Sequence, residues 1–112
     1  MRLGFDAKRA FHNYSGLGNY SRNTINIMSK KYLKDDFFLY TYCKKSSYTK
    51  SIKNINNITI KEPLSFAGRL SEAYWRSFSI TQDLKKDKID IFHGLSNEIP
   101  FGIKKTHIKT IV

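Results

Sequence analysis

An apolar and aromatic run in the first half of the chain, Phe37-Phe38-Leu39-Tyr40-Thr41-Tyr42, constrains the fold more than any other feature. A strand with one face in water alternates apolar and polar residues, whereas a strand covered on both faces is apolar along its length. Asp35 and Asp36 interrupt the preceding pattern directly before the run. The run therefore predicts a strand buried on both faces, as in a parallel sheet.

Four other short segments predict strands: residues 2–6, residues 58–60 (which end shortly before Pro63), residues 89–92 and residues 108–112. Pro63 cannot donate a ladder hydrogen bond and so favours an end to the third strand. Residues 7–15 are polar and predict an irregular segment. Residues 44–57 are rich in Ser, Lys and Asn and predict a loop with at most one helical turn.

Helical periodicity occurs twice. Residues 16–32 predict a helix opened by glycines and preceded by Ser15 as the N-cap, with Leu17, Tyr20, Thr24 and Met28 on one face. Residues 68–86 predict a second helix, with a stripe of Leu70, Tyr74, Ser77, Thr81 and Leu84 that Trp75 and Phe78 widen. Strands that alternate with helices predict an α/β fold with a Rossmann-like, mostly parallel, doubly wound sheet.

The chain carries 20 Lys and Arg residues against nine Asp and Glu residues, a net charge of +11. Such an excess is typical of proteins that meet anions, which here means nucleic acid, an anionic membrane surface or phosphorylated small molecules. The lysines occur in scattered pairs rather than in one arm or helix, and Lys, Asn and Ile are abundant throughout. Charge alone does not choose among these partners.

Nothing in the sequence predicts a segment that enters or crosses a membrane. The N-terminus lacks an apolar run of signal-peptide length, and no uncharged stretch approaches the ~20 residues that a membrane span needs. The single cysteine, Cys43, has no partner in the chain for a disulfide. These features predict a cytoplasmic protein, which leaves peripheral contact with the inner face of an anionic membrane open.

The first candidate site is Gly16-Leu17-Gly18, where a helix begins. Bare backbone N–H groups at the positive end of a helix dipole suit a phosphate. A dinucleotide fingerprint would require glycine at position 21, where Ser21 stands, and nine residues separate Gly16 from the first strand. The alternative is a helix start that needs glycine for close backbone packing. At an unstrained helix start, Gly18→Ala would cost at most about 1 kcal/mol.

The second candidate site follows the fourth strand, and its polar groups are His93, Ser96, Asn97 and Glu98. Loops at the carboxyl ends of strands in an α/β sheet carry ligand-binding groups, and amide and carboxylate side chains bind sugar hydroxyls. The alternative is a turn shaped by Gly94, Ser96 and Pro100, with His93 capping the sheet. A third candidate is Lys8 with Arg9, which could hold an anion or be solvated.

Metal and hydrolase chemistry have little support. His12, His93 and His107 show no metal-ligand spacing with the single cysteine, and no acidic cluster suits a hard cation. No Gly-x-Ser-x-Gly elbow indicates a serine hydrolase. We therefore expect neither a metal nor another cofactor.

The blocks RLGFDAKR (residues 2–9), SGLGNYSR (15–22), IDIFHGLSNEIP (89–100) and KTIV (109–112) resemble the start of GT-B glycosyltransferases of family 4, also called glycosyl transferases group 1. The resemblance implies a retaining transfer of a sugar from a nucleotide-sugar, which is a substrate, to an acceptor hydroxyl in polysaccharide or lipid-linked glycan synthesis. Residues 1–112 would be the N-terminal, acceptor-side domain, ending before its C-terminal end and without the donor-binding domain.

The resemblance also implies roles for individual residues. Gly16, Leu17 and Gly18 would approach the donor phosphates, while Arg9, His93, Ser96, Asn97 and Glu98 would face a glycan or lipid-linked acceptor. The family's His-Asp pair follows the strand that Ile111 and Val112 begin, so no residue of this chain takes the catalytic role. The isolated chain would then be inactive in sugar transfer.

Two other classes of function stay open: a basic nucleic-acid-binding module with aromatic stacking platforms, and a non-catalytic Rossmann-like scaffold. The nucleic-acid alternative requires basic residues and exposed aromatics on one face. The periodicities predict instead that Tyr40, Tyr74 and Phe78 are buried. We therefore expect no sequence-specific nucleic-acid partner.

Overall fold

The computed structural model describes residues 1–96 and 98–112, and in this part of the chain five parallel strands form one sheet. The strands are β1 (Arg2–Asp6), β2 (Asp36–Tyr40), β3 (Ile58–Lys61), β4 (Ile91–His93) and β5 (Lys109–Ile111). Their order is β3-β2-β1-β4-β5, and all four pairings are parallel. The predicted parallel α/β sheet is confirmed.

Residues Phe37 to Tyr40 of the aromatic run form β2 after its first residue, Asp36, and both faces of this part of the strand are buried. Phe37 and Leu39 pack into one core cluster, whereas Phe38 and Tyr40 pack into the other. Successive strand residues point to opposite faces, so an apolar residue at every position serves two cores at once. Burying one such side chain contributes about 1.5–3 kcal/mol, and the predicted two-sided burial of this strand is confirmed.

Helices cover both faces of the sheet. The first face is covered by α1 (Lys8–His12), α2 (Gly16–Lys31) and α3 (Ser47–Ile52). The second face is covered by a π-helical segment (Trp75–Ser79) and α6 (Ile80–Lys86), which follow α4 (Phe66–Leu70) and α5 (Glu72–Tyr74) in the chain. Both α4 and α5 contact the π-helical segment. A short 3-10 helix, Ile103–Lys105, precedes β5. Helices on both faces are the arrangement of a doubly wound fold. Residues 7–15, predicted to be irregular, contain α1 because Ala10 and Phe11 are buried on the first face.

The buried face of α2 differs from the predicted face. Leu17 and Tyr20 are 48% and 58% exposed, whereas Gly18, Ser21, Ile25 and Ser29 are buried. Small residues at three of the four buried positions let the helix lie close to the sheet and leave Ile25 as the main apolar contact. Of the predicted stripe, Leu17 and Tyr20 are in water, whereas Thr24 and Met28 are half-buried and Met28 packs against the core.

The second predicted helix is divided. Ser71 is extended, with φ −152° and ψ 124°, and its hydroxyl accepts the N–H of Tyr74 at the start of α5. The N–H of Ile80 donates to the carbonyl of Trp75, five residues earlier, which defines a π-helical turn. The extra residue rotates the face of the helix, so Trp75 and Leu84 are buried. Leu70, Tyr74 and Phe78 are exposed, and their predicted burial is wrong.

Because all five strands run in the same direction, their carboxyl ends lie along one edge of the sheet. We call this the carboxyl edge and the opposite one the amino edge. The segments that follow β1 and β4 meet at the carboxyl edge, since these strands are neighbours. In the described part of the chain no helix has the length and apolar character needed to cross a membrane.

Candidate functional site

A polar cleft of about 180 Å³ lies at the carboxyl edge, between the segments after β1 and β4. Its lining residues are Lys8, Arg9, His12, Asn13, Arg76, Ser96 and Glu98. Ligands of open α/β sheets bind in this position, beyond the carboxyl ends of the strands. Four of the seven side chains are basic or imidazole groups, so the cleft suits a polar, electron-rich ligand.

An ion-pair network includes two residues of the cleft, Arg76 and Glu98. Arg76, from the π-helical segment, places Nη2 at 2.7 Å from the Asp6 carboxylate and 3.3 Å from the Glu98 carboxylate. Asp6 is the last residue of β1 and is 7% exposed. The Arg76 guanidinium therefore connects the helices on the second face of the sheet to the end of β1 and to the segment after β4.

Burial acts to lower the pKa of Arg76, but its hydrogen bond to Asp6 and the charges of Asp6, Glu98 and Glu72 outweigh burial and raise the pKa. Arg76 therefore keeps its positive charge. Among the described residues, the Nε atoms of Arg9 and Arg76 and the hydroxyl of Ser96 are buried without a hydrogen-bond partner. Buried donors of this kind cost free energy unless a ligand or water satisfies them.

The glycine-opened helix borders this cleft through Asn13, whose side chain caps α2. Its Oδ1 accepts the Ser15 N–H at 2.9 Å, the Ser15 hydroxyl at 2.7 Å and the Gly18 N–H at 3.0 Å. Ser15 occupies the predicted N-cap position, but Asn13 supplies the capping oxygen. The Gly18 N–H is therefore engaged by Asn13, and the predicted phosphate contact depends on the N–H groups of Gly16 and Leu17.

The two glycines have different surroundings. A Cβ on Gly18 would overlap the backbone carbonyl oxygen of Asn13, whereas a Cβ on Gly16 would meet nothing within 4 Å. Gly18 thus allows the chain before α2 to pass directly against the helix. The expectation that Gly18→Ala costs at most about 1 kcal/mol assumed an unstrained helix start, and this assumption is wrong because the Asn13 carbonyl leaves no room for a Cβ.

Arg22 fixes the connection between α1 and α2. Its Nη1 donates to the carbonyls of Ala10 (2.9 Å) and Asn13 (2.6 Å), and its Nη2 donates to Asn19 (2.7 Å). A guanidinium has several donors in a rigid plane and can satisfy such a set at once. The Arg22 side chain therefore fixes the segment before α2, including the cleft residue Asn13, against this helix.

The structure brings together three of the residues predicted to bind an acceptor, namely Arg9, Ser96 and Glu98. His93 is the last residue of β4 and does not line the cleft; its ring packs on Phe5 with centroids 5.7 Å apart. Burial lowers the pKa of His93. Asn97 lies outside the described residues.

Gly94 gives the segment after β4 its shape, as the alternative interpretation of this motif expects. A Cβ on Gly94 would overlap the carbonyl oxygen of Glu98, so glycine lets the segment fold back on itself. The Gly94 N–H also donates to Ile111 at 2.8 Å, at the end of β5. The turn and the cleft are compatible, because the fold-back is what presents Ser96 and Glu98.

Sequence reasoning missed Arg76 and Asn13. Arg76 is one charged residue in an aromatic helical stretch, and its partner Asp6 is 70 positions away, so only the fold reveals the pair. Asn13 could have been recognised, since an Asn shortly before a glycine-opened helix is a typical cap.

The described residues contain no group of three His, Cys, Asp or Glu side chains that could hold a metal ion. Comparisons with protein-family models, with curated proteins and with solved structures find no match to this chain. The fold and the cleft define the class of protein, a Rossmann-like α/β protein with a polar site at the carboxyl edge of its sheet.

Proposed function

We propose that this chain is the acceptor-side part of a retaining glycosyltransferase, which moves a sugar from a nucleotide-sugar to an acceptor hydroxyl of a glycan or lipid-linked glycan. The observation that carries the proposal is the cleft at the carboxyl edge, which is lined by Arg9 and Arg76, two residues whose Nε atoms are buried without a hydrogen-bond partner among the described residues. Two of the sequence blocks that resemble family 4 enzymes contribute to this cleft, since Lys8 and Arg9 belong to the block at residues 2–9 and Ser96 and Glu98 to the block at residues 89–100.

The acceptor would bind against the segment after β4. The Ser96 hydroxyl can donate to or accept from a sugar hydroxyl, and the Glu98 carboxylate can accept from one. Glu98 is 68% exposed in its side chain and 3.3 Å from Arg76, so it can exchange this weak surface contact for a sugar. Arg9 would donate to an oxygen of the same acceptor.

The donor phosphates would lie at the start of α2. The N–H groups of Gly16 and Leu17 are the first of the helix and point along its dipole, where a diphosphate is stabilised. Gly16 has open space beside its Cα, which lets a phosphate approach the backbone. A leaving diphosphate needs preorganised donors on all sides, so this chain alone supplies one side of the donor site.

Sugar transfer is the direct assay. Nucleoside diphosphate sugars and glycan or lipid-linked acceptors are incubated with the protein encoded by the complete reading frame that contains residues 1–112. The isolated chain of residues 1–112 is assayed in parallel. We expect sugar transfer by the protein from the complete reading frame and none by the isolated chain. Arg9→Gln should lower kcat/KM about tenfold or more, whereas Lys34→Gln, on the exposed turn before β2, should leave it unchanged. Equal activity of Arg9→Gln and wild type would contradict the proposal.

A second candidate function is supported by one observation. Tyr74, Phe78 and Phe101 form an exposed stack, with ring centroids 5.5 Å and 5.2 Å apart and exposures of 45%, 51% and 68%. Exposed aromatics on a chain of net charge +11 are the components of a single-stranded nucleic-acid platform. Tyr74 and Phe78, which the periodicity predicted to be buried, are therefore accessible to the bases of a nucleic acid.

Titration with single-stranded oligonucleotides separates the two candidates. If bases stack on these rings, Phe78→Ala should weaken binding by about 1–3 kcal/mol. If the contact is only electrostatic, Phe78→Ala should bind as wild type does. Tyr32→Ala, which removes another exposed aromatic ring at the end of α2, is the matched control.

A further inference from the structure

A second groove lies at the amino edge of the sheet, on the side opposite the cleft. Its volume is about 510 Å³, and it is bordered by the end of α6 and by the segment that leads into β5. Four basic or imidazole side chains line it, namely Lys85, Lys88, Lys105 and His107. Volumes of this size are typical of small-molecule sites.

The positive charge of this groove is not neutralised within the described part of the chain. There, no ion pair within 4.0 Å involves Lys85, Lys88 or Lys105. The nearby Asp87 is committed elsewhere, to Lys61 at 3.2 Å and to the hydroxyl of Tyr40 at 2.6 Å. Asp90, the one acid among the described residues that line the groove, accepts the N–H of Arg2 at 2.7 Å. The groove therefore has a net positive charge.

Lys88 occupies a backbone position that ordinarily belongs to glycine. Its φ is 56°, and it follows the end of α6 in a Schellman turn. The Ile89 N–H donates to the carbonyl of Leu84 at 3.1 Å, and the Lys88 N–H donates to that of Lys85 at 3.1 Å. Lysine is strained in this region and glycine is not. The chain retains a cationic side chain at the groove at a conformational cost.

We propose that this groove binds a small soluble molecule bearing two or more linked phosphates. Three ammonium groups around a concave surface match several phosphate charges, and the buried Ile89 provides an apolar floor for the rest of the ligand. A nucleic acid fits less well, because no Phe, Tyr or Trp ring lines the groove among the described residues. A flat membrane surface does not enter a concave groove. This binding is independent of sugar transfer at the carboxyl edge.

A structural role for these lysines is the competing explanation. Lys85 lies in the last turn of α6, where a cation stabilises the helix dipole. Substitution of Lys88 separates the two roles, since glycine relieves the backbone strain and removes the charge in one step. A structural lysine predicts no change in phosphate affinity, whereas a binding lysine predicts higher stability together with weaker binding.

The test is titration of the chain with inorganic tripolyphosphate, followed by calorimetry and by amide chemical shifts. We expect Lys88→Gly to raise Tm and to weaken binding, and Lys85→Gln/Lys88→Gln to weaken it about tenfold or more. Lys30→Gln/Lys31→Gln, a lysine pair in the last turn of α2, removes the same charge elsewhere. Unchanged affinity in Lys88→Gly, or equal weakening in both double variants, would overturn the proposal. So would tighter binding at this groove of single-stranded RNA or anionic vesicles.

Discussion

Gly16 and Gly18 open the same helix, but only Gly18 lacks room for a side chain. A Cβ at position 18 would overlap the Asn13 carbonyl, so Gly18→Ala must push residues 13–15 away from α2. We expect it to lower the free energy of unfolding by about 1–3 kcal/mol, as overpacked sites do. Urea denaturation followed by circular dichroism measures the change.

Gly16→Ala is the matched control, since open space surrounds this position. It should leave stability unchanged or raise it by about 0.4–1 kcal/mol, because alanine restricts the unfolded chain. Equal stability of the Gly18→Ala and Gly16→Ala variants would show that the close approach of Asn13 is not a constraint on the fold.

His93 makes stability depend on pH. Burial lowers its pKa from 6.5 in the folded chain, so the unfolded state binds more protons just below that pH. Stability should be full above about pH 6.5 and should fall as pH decreases towards the folded pKa. His93→Gln should flatten this slope, while His107→Gln, at an exposed position, should keep it. Denaturation midpoints between about pH 5 and 8 measure it, and an unchanged slope in His93→Gln would refute the assignment.

At the scale of elements, Arg76 connects the π-helical segment to β1 and to the segment after β4. Arg76→Gln would leave the buried carboxylate of Asp6 without its cation, which costs about 3 kcal/mol or more at buried pairs. Glu98→Gln, at an exposed partner, should cost at most about 1 kcal/mol. Chemical denaturation of the two variants measures both effects. If Arg76→Gln and Glu98→Gln lowered the free energy of unfolding by similar amounts, Arg76 and Asp6 would not form the buried ion pair described above.

The existence of the strands could be predicted, because β2 is apolar at every position after Asp36 and the neighbouring strands are bounded by polar segments. The phase of α2 could not be predicted from its apolar residues, since its buried positions hold Gly18, Ser21 and Ser29. These positions hold small side chains because α2 lies close to the sheet there. The division of residues 68–86 also escaped prediction, because one π-helical turn changes the period within a single segment.

At the scale of the whole molecule, two of the lysine pairs lie at the same edge of the sheet. Lys30 and Lys31 lie in the last turn of α2, and Lys85 and Lys86 in that of α6, where cations stabilise helix dipoles. Parallel topology places both helix ends at the amino edge. Part of the excess positive charge therefore lies at the amino edge, although the lysine pairs are far apart in the sequence.

Any binding to DNA should consequently be sequence-independent and sensitive to salt. Lysines on an edge neutralise phosphates without reaching base edges, so affinity should fall steeply as salt rises. Fluorescence anisotropy with duplexes of unrelated sequence at low salt and at ~150 mM salt tests this. A strong preference for one duplex at the higher salt would indicate a specific nucleic-acid function.

The candidate site could be predicted in part. Lys8, Arg9, Ser96 and Glu98 follow two strands, and the neighbouring positions of β1 and β4 bring them to one cleft. Arg76 could not be assigned, because its approach to Asp6 depends on how the π-helical segment packs on the second face of the sheet. His93 was assigned from its place beside the polar loop, but its ring points into the packing around Phe5.

The most direct test of the central claim is a map of amide chemical shifts in the chain during titration with a nucleoside diphosphate sugar and with a glycan acceptor. The proposed function predicts donor-induced shifts at Gly16 and Leu17 and acceptor-induced shifts at Arg9, Ser96 and Glu98. Arg9→Gln should remove the acceptor-induced shifts and leave those at the helix start. Shifts confined to Tyr74, Phe78 and Phe101 on addition of a single-stranded oligonucleotide, with none from either sugar, would contradict it.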